Sequence, residues 1–173
     1  MSQAGRRRPR GQGAGQEGAG EFYENVVKIY RSATVVKGGR RFSFAALTVV
    51  GDRNGLVGIG YGKANAVPAA VEKSFKRAHR SMKRAVLSGH TLPHEVTGRF
   101  LASRVYMRPA APGTGIIAGA AVRAVVGAAG VRDVLTKSYG SNSLKNLVKA
   151  ALQGLLLVRD RATVARLRGV ELE

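Results

Sequence analysis

A strand, a tight turn and a second strand are predicted between Lys37 and Lys63, and the second strand has glycine at alternate positions. The turn contains Asn54-Gly55, a pair that suits the positive φ angles of a hairpin. Because side chains alternate between the two faces of a strand, one face holds only Leu56, Gly58, Gly60 and Gly62. A face without side chains allows another backbone to come close. That partner is a packed helix or a nucleic-acid strand, and the pattern alone favours the helix.

A basic glycine loop, Lys37-Gly38-Gly39-Arg40-Arg41, precedes the first of these strands. The two glycines can expose backbone N–H groups to an anion, and the flanking cations would complete a phosphate clamp. The alternative is an ordinary hairpin turn with solvated charges. We favour the clamp because residues 25–94 contain thirteen Lys and Arg but only two acids, Asp52 and Glu72.

The formal charge of the chain is +19, from 29 Lys and Arg against 10 Asp and Glu in 173 residues. Self-repulsion of that size destabilises a compact state, so a polyanion is the expected partner. We find no lipidation motif and no long apolar run, which makes nucleic acid the leading class and a membrane the weaker one. The absence of cysteine excludes disulfides and thiolate metal sites.

The composition divides the chain into four segments. Residues 1–20 are rich in Gly and Arg, have no apolar stretch typical of a signal peptide, and are predicted to be a disordered basic tail. Residues 21–88 form a first domain and residues 89–169 a second, with a linker near residues 88–92. Residues 170–173 are a C-terminal tail.

In the first domain we predict a strand from Glu21 to Val36, with Val27 and Ile29 on one face. Phe42 and Phe44 are interpreted as core residues. A helix begins near Pro68, with an apolar stripe formed by Val67, Val71, Phe75, Ala78, Met82 and Val86. Its other side is basic and is predicted to bind an anion, through Lys73, Lys76, Arg77, Arg80, Lys83 and Arg84.

These motifs resemble the family of bacterial small-subunit ribosomal protein five. The resemblance rests on the run from Val36 to Phe44, on Val49-Val50-Gly51-Asp52, on Gly58 to Ala64, and on Val67-Pro68-Ala69-Ala70. In the second half it continues through Pro109-Ala110, Gly113 to Gly119, Arg123-Ala124-Val125, Ala129-Gly130-Val131 and Lys137 to Ser141. It covers residues 22–169 with the motifs in order.

In the second domain, the segment from Arg99 to Arg108 alternates in character. Leu101, Ser103, Val105 and Met107 share one face, while Arg104, Tyr106 and Arg108 share the other. The basic, aromatic face suits phosphate contact and stacking on a base, and an edge strand with solvated arginines is an equally good interpretation.

Four further elements follow. They are a buried helix ending at Gly130, a strand from Val131 to Tyr139, an amphipathic helix with the stripe Leu144, Leu147, Val148, Ala151, Leu152 and Leu155, and a short basic helix with Val164 and Leu167 inward.

The resemblance implies an α+β protein. Its first domain would be similar to a double-stranded-RNA-binding fold, with a three-stranded antiparallel sheet and a helix, and its second an α/β domain. It also implies a structural constituent of the small ribosomal subunit, at the junction of body and head, beside small-subunit proteins four and eight and the messenger entry path. Contributions to decoding accuracy and to spectinomycin sensitivity would follow, in a cytoplasmic, ribosome-bound protein that is not a homo-oligomer.

The predicted rRNA contacts combine the basic residues with the glycines that could lie against RNA. They are Lys37, Gly38, Gly39, Arg40, Arg41, Arg53, Gly60, Gly62, Lys63, Lys73, Lys76, Arg77, Arg80, Arg104, Tyr106 and Arg108.

Two other functions were weighed. A free RNA-binding regulator or annealing factor is the alternative. An enzyme is not predicted, nor is a cofactor or a metal. The turn at Gly113-Thr114-Gly115 lacks the Lys-Ser/Thr of a nucleotide loop, and Pro93 separates His90 from His94.

Overall fold

The computed structural model describes residues 22–169, so the predicted tails at residues 1–20 and 170–173 lie outside the described residues. The first half forms an antiparallel sheet in the order β1-β2-β3-β4. Its strands are β1 (Tyr23–Val36), β2 (Gly39–Gly51), β3 (Leu56–Ala64) and the two-residue β4 (Lys83–Arg84), and α1 (Val67–Arg80) packs on one face.

The second half forms a mixed sheet in the order β5-β6-β8-β7. Its strands are β5 (Val96–Phe100), β6 (Ser103–Pro109), β7 (Ile116–Ile117) and β8 (Val134–Gly140), and β7 and β8 are parallel. The helices are α2 (Ala120–Ala129), α3 (Leu144–Leu157) and α4 (Arg161–Arg168). The predicted α+β class is confirmed, with the short β4 added to the expected three-stranded sheet.

The glycine face of β3 lies directly under α1. A methyl group at Gly58, Gly60 or Gly62 would overlap a backbone carbonyl oxygen of the helix, from Ala78, Ser74 and Ala70 respectively. These three helix residues are small and buried, at intervals of four. The strand and helix backbones therefore approach closely because both contact surfaces lack large side chains.

The predicted apolar stripe of α1 is correct at Ala78, which is buried against the sheet, and wrong at its other positions. Val67, Val71 and Phe75 lie at the flanks and are only partly buried, while the helix turns its small residues to the sheet. The helix also ends at Arg80 rather than continuing to Val86. Ser81 ends it because its hydroxyl donates to the carbonyl oxygens of Ile59 and Ala78, at 2.9 and 3.1 Å. Lys83 and Arg84 then pair with β3 as β4.

Strand β1 contains a bulge at Val27 that changes which residues face the core. The pairing with β2 shifts between Val26 and Lys28, so Val27 has no partner of its own. As a result Val27 and Tyr30 are half-buried against the core, whereas Ile29 is 42% exposed. The prediction that Val27 and Ile29 share one face is wrong because an extra residue reverses the alternation.

The second half follows the sequence pattern more closely. The stripe of α3 is confirmed, with Leu147, Val148, Ala151 and Leu155 buried. Strand β8 begins at Val134 rather than Val131, since Asp133 is held in a loop by its carboxylate, which accepts from the N–H of Gly115 at 2.9 Å. Leu167 of α4 was predicted to point inward but is 61% exposed.

The two sheets share one buried core, and the β2–β3 turn docks on the C-terminus of α2. The N–H groups of Arg53 and Gly55 donate to the carbonyl oxygens of Ala128 and Ala129, at 3.1 and 2.8 Å. Positive φ angles occur at Arg53 and Gly55, not at the Asn54-Gly55 pair that the sequence indicated. The division of the chain at residues 88 and 89 stays a prediction.

Candidate nucleic-acid interface

The basic glycine loop is the tip of a long hairpin. Val36 pairs with Gly39, so the turn consists of Lys37 and Gly38, and Gly38 has a φ of 91°. All residues from Arg31 to Phe42 are exposed, and we call this segment the hairpin arm. At 3.2–3.4 Å per residue, the strand from Arg31 to Val36 spans about 17 Å. The arm therefore projects well beyond the core.

The hairpin arm contains four cations, Arg31, Lys37, Arg40 and Arg41, and no acid. Its pairing places Arg40 and Phe42 on the face of the sheet that α1 covers lower down, and Arg41 on the opposite face. Cations consequently surround the tip on both sides. An anion can approach the backbone of Gly38 and Gly39 freely, because a methyl group there would meet nothing within 4 Å.

Phe42 belongs to this exposed arm and not to the core, so its core assignment was wrong. Its ring is 40% exposed and lies under the guanidinium carbon of Arg31, 3.7 Å from the ring centroid. The predicted strand face is correct, since Ala46, Thr48 and Val50 on it are buried. The strand extends past the end of the helix that covers that face, which leaves Phe42 uncovered.

The outer face of α1 is a second basic surface. Lys73, Lys76, Arg77 and Arg80 are all exposed there, beside one acid, Glu72. The hydrogen bond and charge of Lys76 lower the pKa of Glu72, and the side chain of Arg77 donates to the carbonyl oxygen of Tyr61 at 2.6 Å. These contacts engage the charged groups of Lys76 and Arg77, whereas those of Lys73 and Arg80 face solvent.

Four other predicted contacts lie in different places. Gly60 and Gly62 are buried beneath α1, and the helix occupies the space that an RNA backbone would need to reach them. Lys63 is exposed, with its ammonium 5.9 Å from the Tyr61 ring centroid. The guanidinium of Arg53 lies over Tyr23, 4.4 Å from the ring centroid, while its backbone docks on α2.

The second sheet has one face covered by helices and one open face. Gly98 of β5 lies against the backbone of α3, and Ser103, Val105 and Met107 of β6 are buried on the same side. Leu101, predicted to join them, is 70% exposed in a turn with a φ of 51°. The interpretation of β6 as an edge strand is wrong because it pairs with β5 on one side and β8 on the other.

Register fixes the composition of the open face of the second sheet. Arg104 lies between Arg99 and Tyr139, and Tyr106 lies between Thr97 and Lys137. We define the open face by these residues together with their neighbours Arg108 and Leu135. A concavity of about 450 Å³ between the strands is lined by Thr97, Arg104, Tyr106 and Tyr139.

The Glu95 carboxylate adjoins the open face next to Tyr106. The hydroxyl of Tyr106 donates to Glu95 Oε2 at 2.7 Å, and this hydrogen bond raises the pKa of Tyr106. The bond orients the ring of Tyr106 across the strand. It also gives the Glu95 carboxylate a partner within the protein.

The sequence interpretation missed several exposed cations and aromatic rings. The position of Arg31 beside Phe42 could be recognised only from the structure. Lys137 and Tyr139 alternate along β8, so the sequence alone could have placed them on one strand face. Their neighbours on β6 could not have been identified, because strand pairing between distant segments leaves no local pattern.

The side chains of His94 and Thr114, considered as catalytic candidates, make hydrogen bonds to backbone atoms in the structure. Within residues 22–169, no group of three or more His, Asp and Glu side chains could hold a metal ion. The ring of His94 contacts the carbonyl oxygen of Glu95 and the N–H of Arg159, at 2.7 and 3.1 Å, and the hydroxyl of Thr114 donates to Ala111. None of the helices in this part of the chain is long and apolar enough to cross a membrane.

The fold and these surfaces define a basic α+β protein with two sheets and an exposed cationic arm, suited to a polyanionic partner. Comparison with known families gives two matches: "Ribosomal protein S5, N-terminal domain" at residues 22–85 and "Ribosomal protein S5, C-terminal domain" at residues 98–168. The chain therefore belongs to the ribosomal protein S5 family, as the sequence motifs indicated.

The chain also matches curated relatives over most of their length. The chain is 53% identical to "Small ribosomal subunit protein uS5" of Alteromonas mediterranea, over 89% of this chain and 93% of the relative. It is 56% identical to the protein of the same name from Rhodopirellula baltica, over 85% and 83% respectively. The relative from Syntrophobacter fumaroxidans is 53% identical, over 87% and 91%. All three bear the name of a small ribosomal subunit protein, which agrees with the prediction that the chain is not an enzyme.

Proposed function

We propose that this chain is a structural, rRNA-binding constituent of the small ribosomal subunit, ribosome-bound in the cytoplasm. Membership of the ribosomal protein S5 family supports a place in the small subunit. The exposed hairpin arm is the observation that supports contact with RNA. The arm exposes every residue from Arg31 to Phe42, with four cations and no acid. Such a segment has no partner of opposite charge within itself, and rRNA phosphates supply one.

The mechanism is the replacement of counterions by protein cations. Lys37, Arg40 and Arg41 at the tip, with Lys73 and Arg80 on α1, would neutralise phosphates and release the ions condensed on the RNA. A protein with ~6–10 phosphate contacts loses about 10³–10⁵ in affinity between roughly 50 and 200 mM salt on duplex DNA, and somewhat less on single strands. Gly38 and Gly39 allow the RNA backbone to lie close to the arm.

The finer features of the family belong to the same proposal. They are a place at the junction of body and head, proteins four and eight as neighbours, and a contribution to the messenger entry path and to decoding accuracy. We assign the response to spectinomycin to the tip, Lys37 to Arg40. Arg104, Tyr106 and Arg108 are proposed as a second contact, on the open face of the second sheet.

Sedimentation of cell lysate through sucrose gradients, at low and high salt, tests this function. We expect the chain to migrate with the small subunit at one copy per particle. A chain that stays near the top of the gradient at both salts would be a free RNA-binding regulator instead, and the ribosomal proposal would fail.

Two tip variants test the assignment of the hairpin arm. Lys37→Glu and Gly38→Asp place negative charge where a phosphate is expected, so we expect weaker rRNA protection near the arm and an altered response to spectinomycin. Unchanged protection and unchanged drug response in both variants would refute the assignment.

A further inference from the structure

We propose that the open face of the second sheet binds an unpaired RNA segment by stacking bases on Tyr106 and Tyr139, with Arg99, Arg104, Arg108 and Lys137 holding its phosphates. This inference deepens the proposed function and rests on it for the identity of the RNA. It names the structural class of RNA, single-stranded and not duplex, and adds three residues that the sequence motifs did not select: Arg99, Lys137 and Tyr139.

The two rings are close enough to act together. Tyr106 is paired with Lys137, and Tyr139 is paired with Arg104, so the tyrosines are diagonal neighbours on the same face of adjacent strands. Diagonal neighbours in an antiparallel pair stand roughly 7–8 Å apart, within the reach of aromatic side chains. Tyr139 is 51% exposed, and both rings line the same concavity.

The positive charge of the open face favours RNA as the molecule that binds there. Arg99, Arg104, Arg108 and Lys137 surround the rings, and the nearby carboxylate of Glu95 accepts the hydroxyl of Tyr106. A protein partner would have to bring several carboxylates to neutralise this face. A nucleic-acid strand brings one phosphate with every base, which matches the mixture of cations and rings.

The shape of the face selects unpaired RNA. The second sheet is covered by α3 on its other side, and its open side presents side chains from three neighbouring strands. Such a surface can accept bases that are splayed out and stacked on aromatic rings, as in other sheet-based RNA-binding modules. In a duplex the bases are stacked on one another and their faces are not available.

Binding of the purified full-length chain to two RNAs tests the inference. The probes are a short unstructured RNA oligonucleotide and a blunt RNA duplex of the same length, each carrying a fluorescent label. We expect Tyr139→Ala and Tyr106→Ala each to weaken binding of the single strand by about five- to 150-fold, the range for one lost base stack. Duplex binding needs only phosphate contacts, which the exposed cations of the hairpin arm and α1 can supply, so it should change by less than about twofold.

Two further variants separate stacking from general effects. Tyr139→Phe keeps the ring and should retain the affinity of the wild type for the single strand. Lys137→Gln and Lys149→Gln remove the same charge on opposite sides of the second sheet, because Lys149 of α3 lies over Phe100, 4.7 Å from the ring centroid. We expect only the Lys137 change to weaken single-strand binding more than duplex binding. Equal thermal melting would confirm that the variants are folded.

The outcomes distinguish this inference from the function on which it rests. Unchanged single-strand binding in both alanine variants, or equal losses for the two RNAs, would overturn the inference even if the chain migrates with the small subunit. A photo-crosslinking amino acid at position 139, in assembled particles, adds a direct readout. Attachment to rRNA supports the inference, and attachment to a protein overturns it. Failure to migrate with the subunit would refute the proposed function. The oligonucleotide assay would still show whether the open face binds single-stranded RNA, because it uses the purified chain.

Discussion

At the base of the first sheet, Gly58, Gly60 and Gly62 lie against the backbone of α1, whereas Gly38 and Gly39 at the tip of the hairpin arm have open space around them. The first group lies within β3 and the second at the turn of the arm, and the sequence made Gly38, Gly39, Gly60 and Gly62 all candidates for RNA contact. In the first group the missing side chain is replaced by a helix. In the second it is not replaced by anything in the protein, so the comparison separates glycines needed for folding from glycines available to a partner.

The largest expected effect is at the base of the sheet. Gly60→Ala would place a methyl group on the carbonyl oxygen of Ser74, a backbone atom that cannot move without moving α1. We expect the free energy of unfolding to fall by about 1–3 kcal/mol or more, as for other overpacked interiors. Urea denaturation would measure this.

Gly39→Ala is the matched control for that change. Its φ is not positive and no atom lies within 4 Å of the added methyl group. The expected change is within about 0.5 kcal/mol, which is usual for exposed positions. Similar losses at Gly60 and Gly39 would contradict the distinction between the two groups.

A loss of similar or smaller size is expected from the polar contact that accompanies the glycine face. The buried hydroxyls of Thr48 and Ser74 lie 2.7 Å apart, and Ser74 also contacts the carbonyl oxygen of Ala46. Ser74→Ala leaves the Thr48 hydroxyl without this partner, which should cost about 1–3 kcal/mol of unfolding free energy. The double variant with Thr48→Val removes both hydroxyls and should recover part of that loss. A double variant with the full sum of both single losses would show that the pair is not coupled.

How much of this could be predicted from sequence depends on whether the determining contacts are local. The alternation of glycines along β3 correctly predicted a close backbone approach, and the helical spacing of Leu147, Val148, Ala151 and Leu155 correctly predicted α3. The bulge at Val27 and the end of α1 were not predictable, because a register shift against β2 and a hydrogen bond to Ile59 decide them. The same holds for the open face, where three strands from separate segments meet.

At the tip, the expected effects are on binding and not on stability. Lys37→Gln removes one exposed cation and should leave the free energy of unfolding within about 0.5 kcal/mol of the wild type. If Lys37 contacts one phosphate, the slope of log affinity against log salt concentration should fall by about one. Fluorescence titration with rRNA fragments at several salt concentrations measures the slope. An unchanged slope would remove Lys37 from the interface.

The smallest expected effect concerns the one acid on α1. Lys76 lowers the pKa of Glu72, so the pair contributes stability above the unfolded-state pKa and loses it as the pH falls through the lower folded-state pKa. Both side chains are about two-thirds exposed, which makes the contribution small. Glu72→Gln should therefore lower the melting temperature slightly at neutral pH and not at all in acid. A difference that grows in acid would contradict this sign.

The docking of the β2–β3 turn on α2 has a consequence for the two RNA contacts proposed above. Because Arg53 and Gly55 bond to the last turn of that helix and the two sheets share one core, the fold sets the spacing between the base of the hairpin arm and the open face of the second sheet. Two modest contacts on one molecule behave as a bivalent ligand, since engagement of the first raises the effective local concentration for the second. An RNA whose duplex and unpaired segments match this fixed spacing gains avidity, and an RNA with another spacing does not. If both proposed contacts bind RNA, the hydrogen bonds at that turn help to set the distance between them.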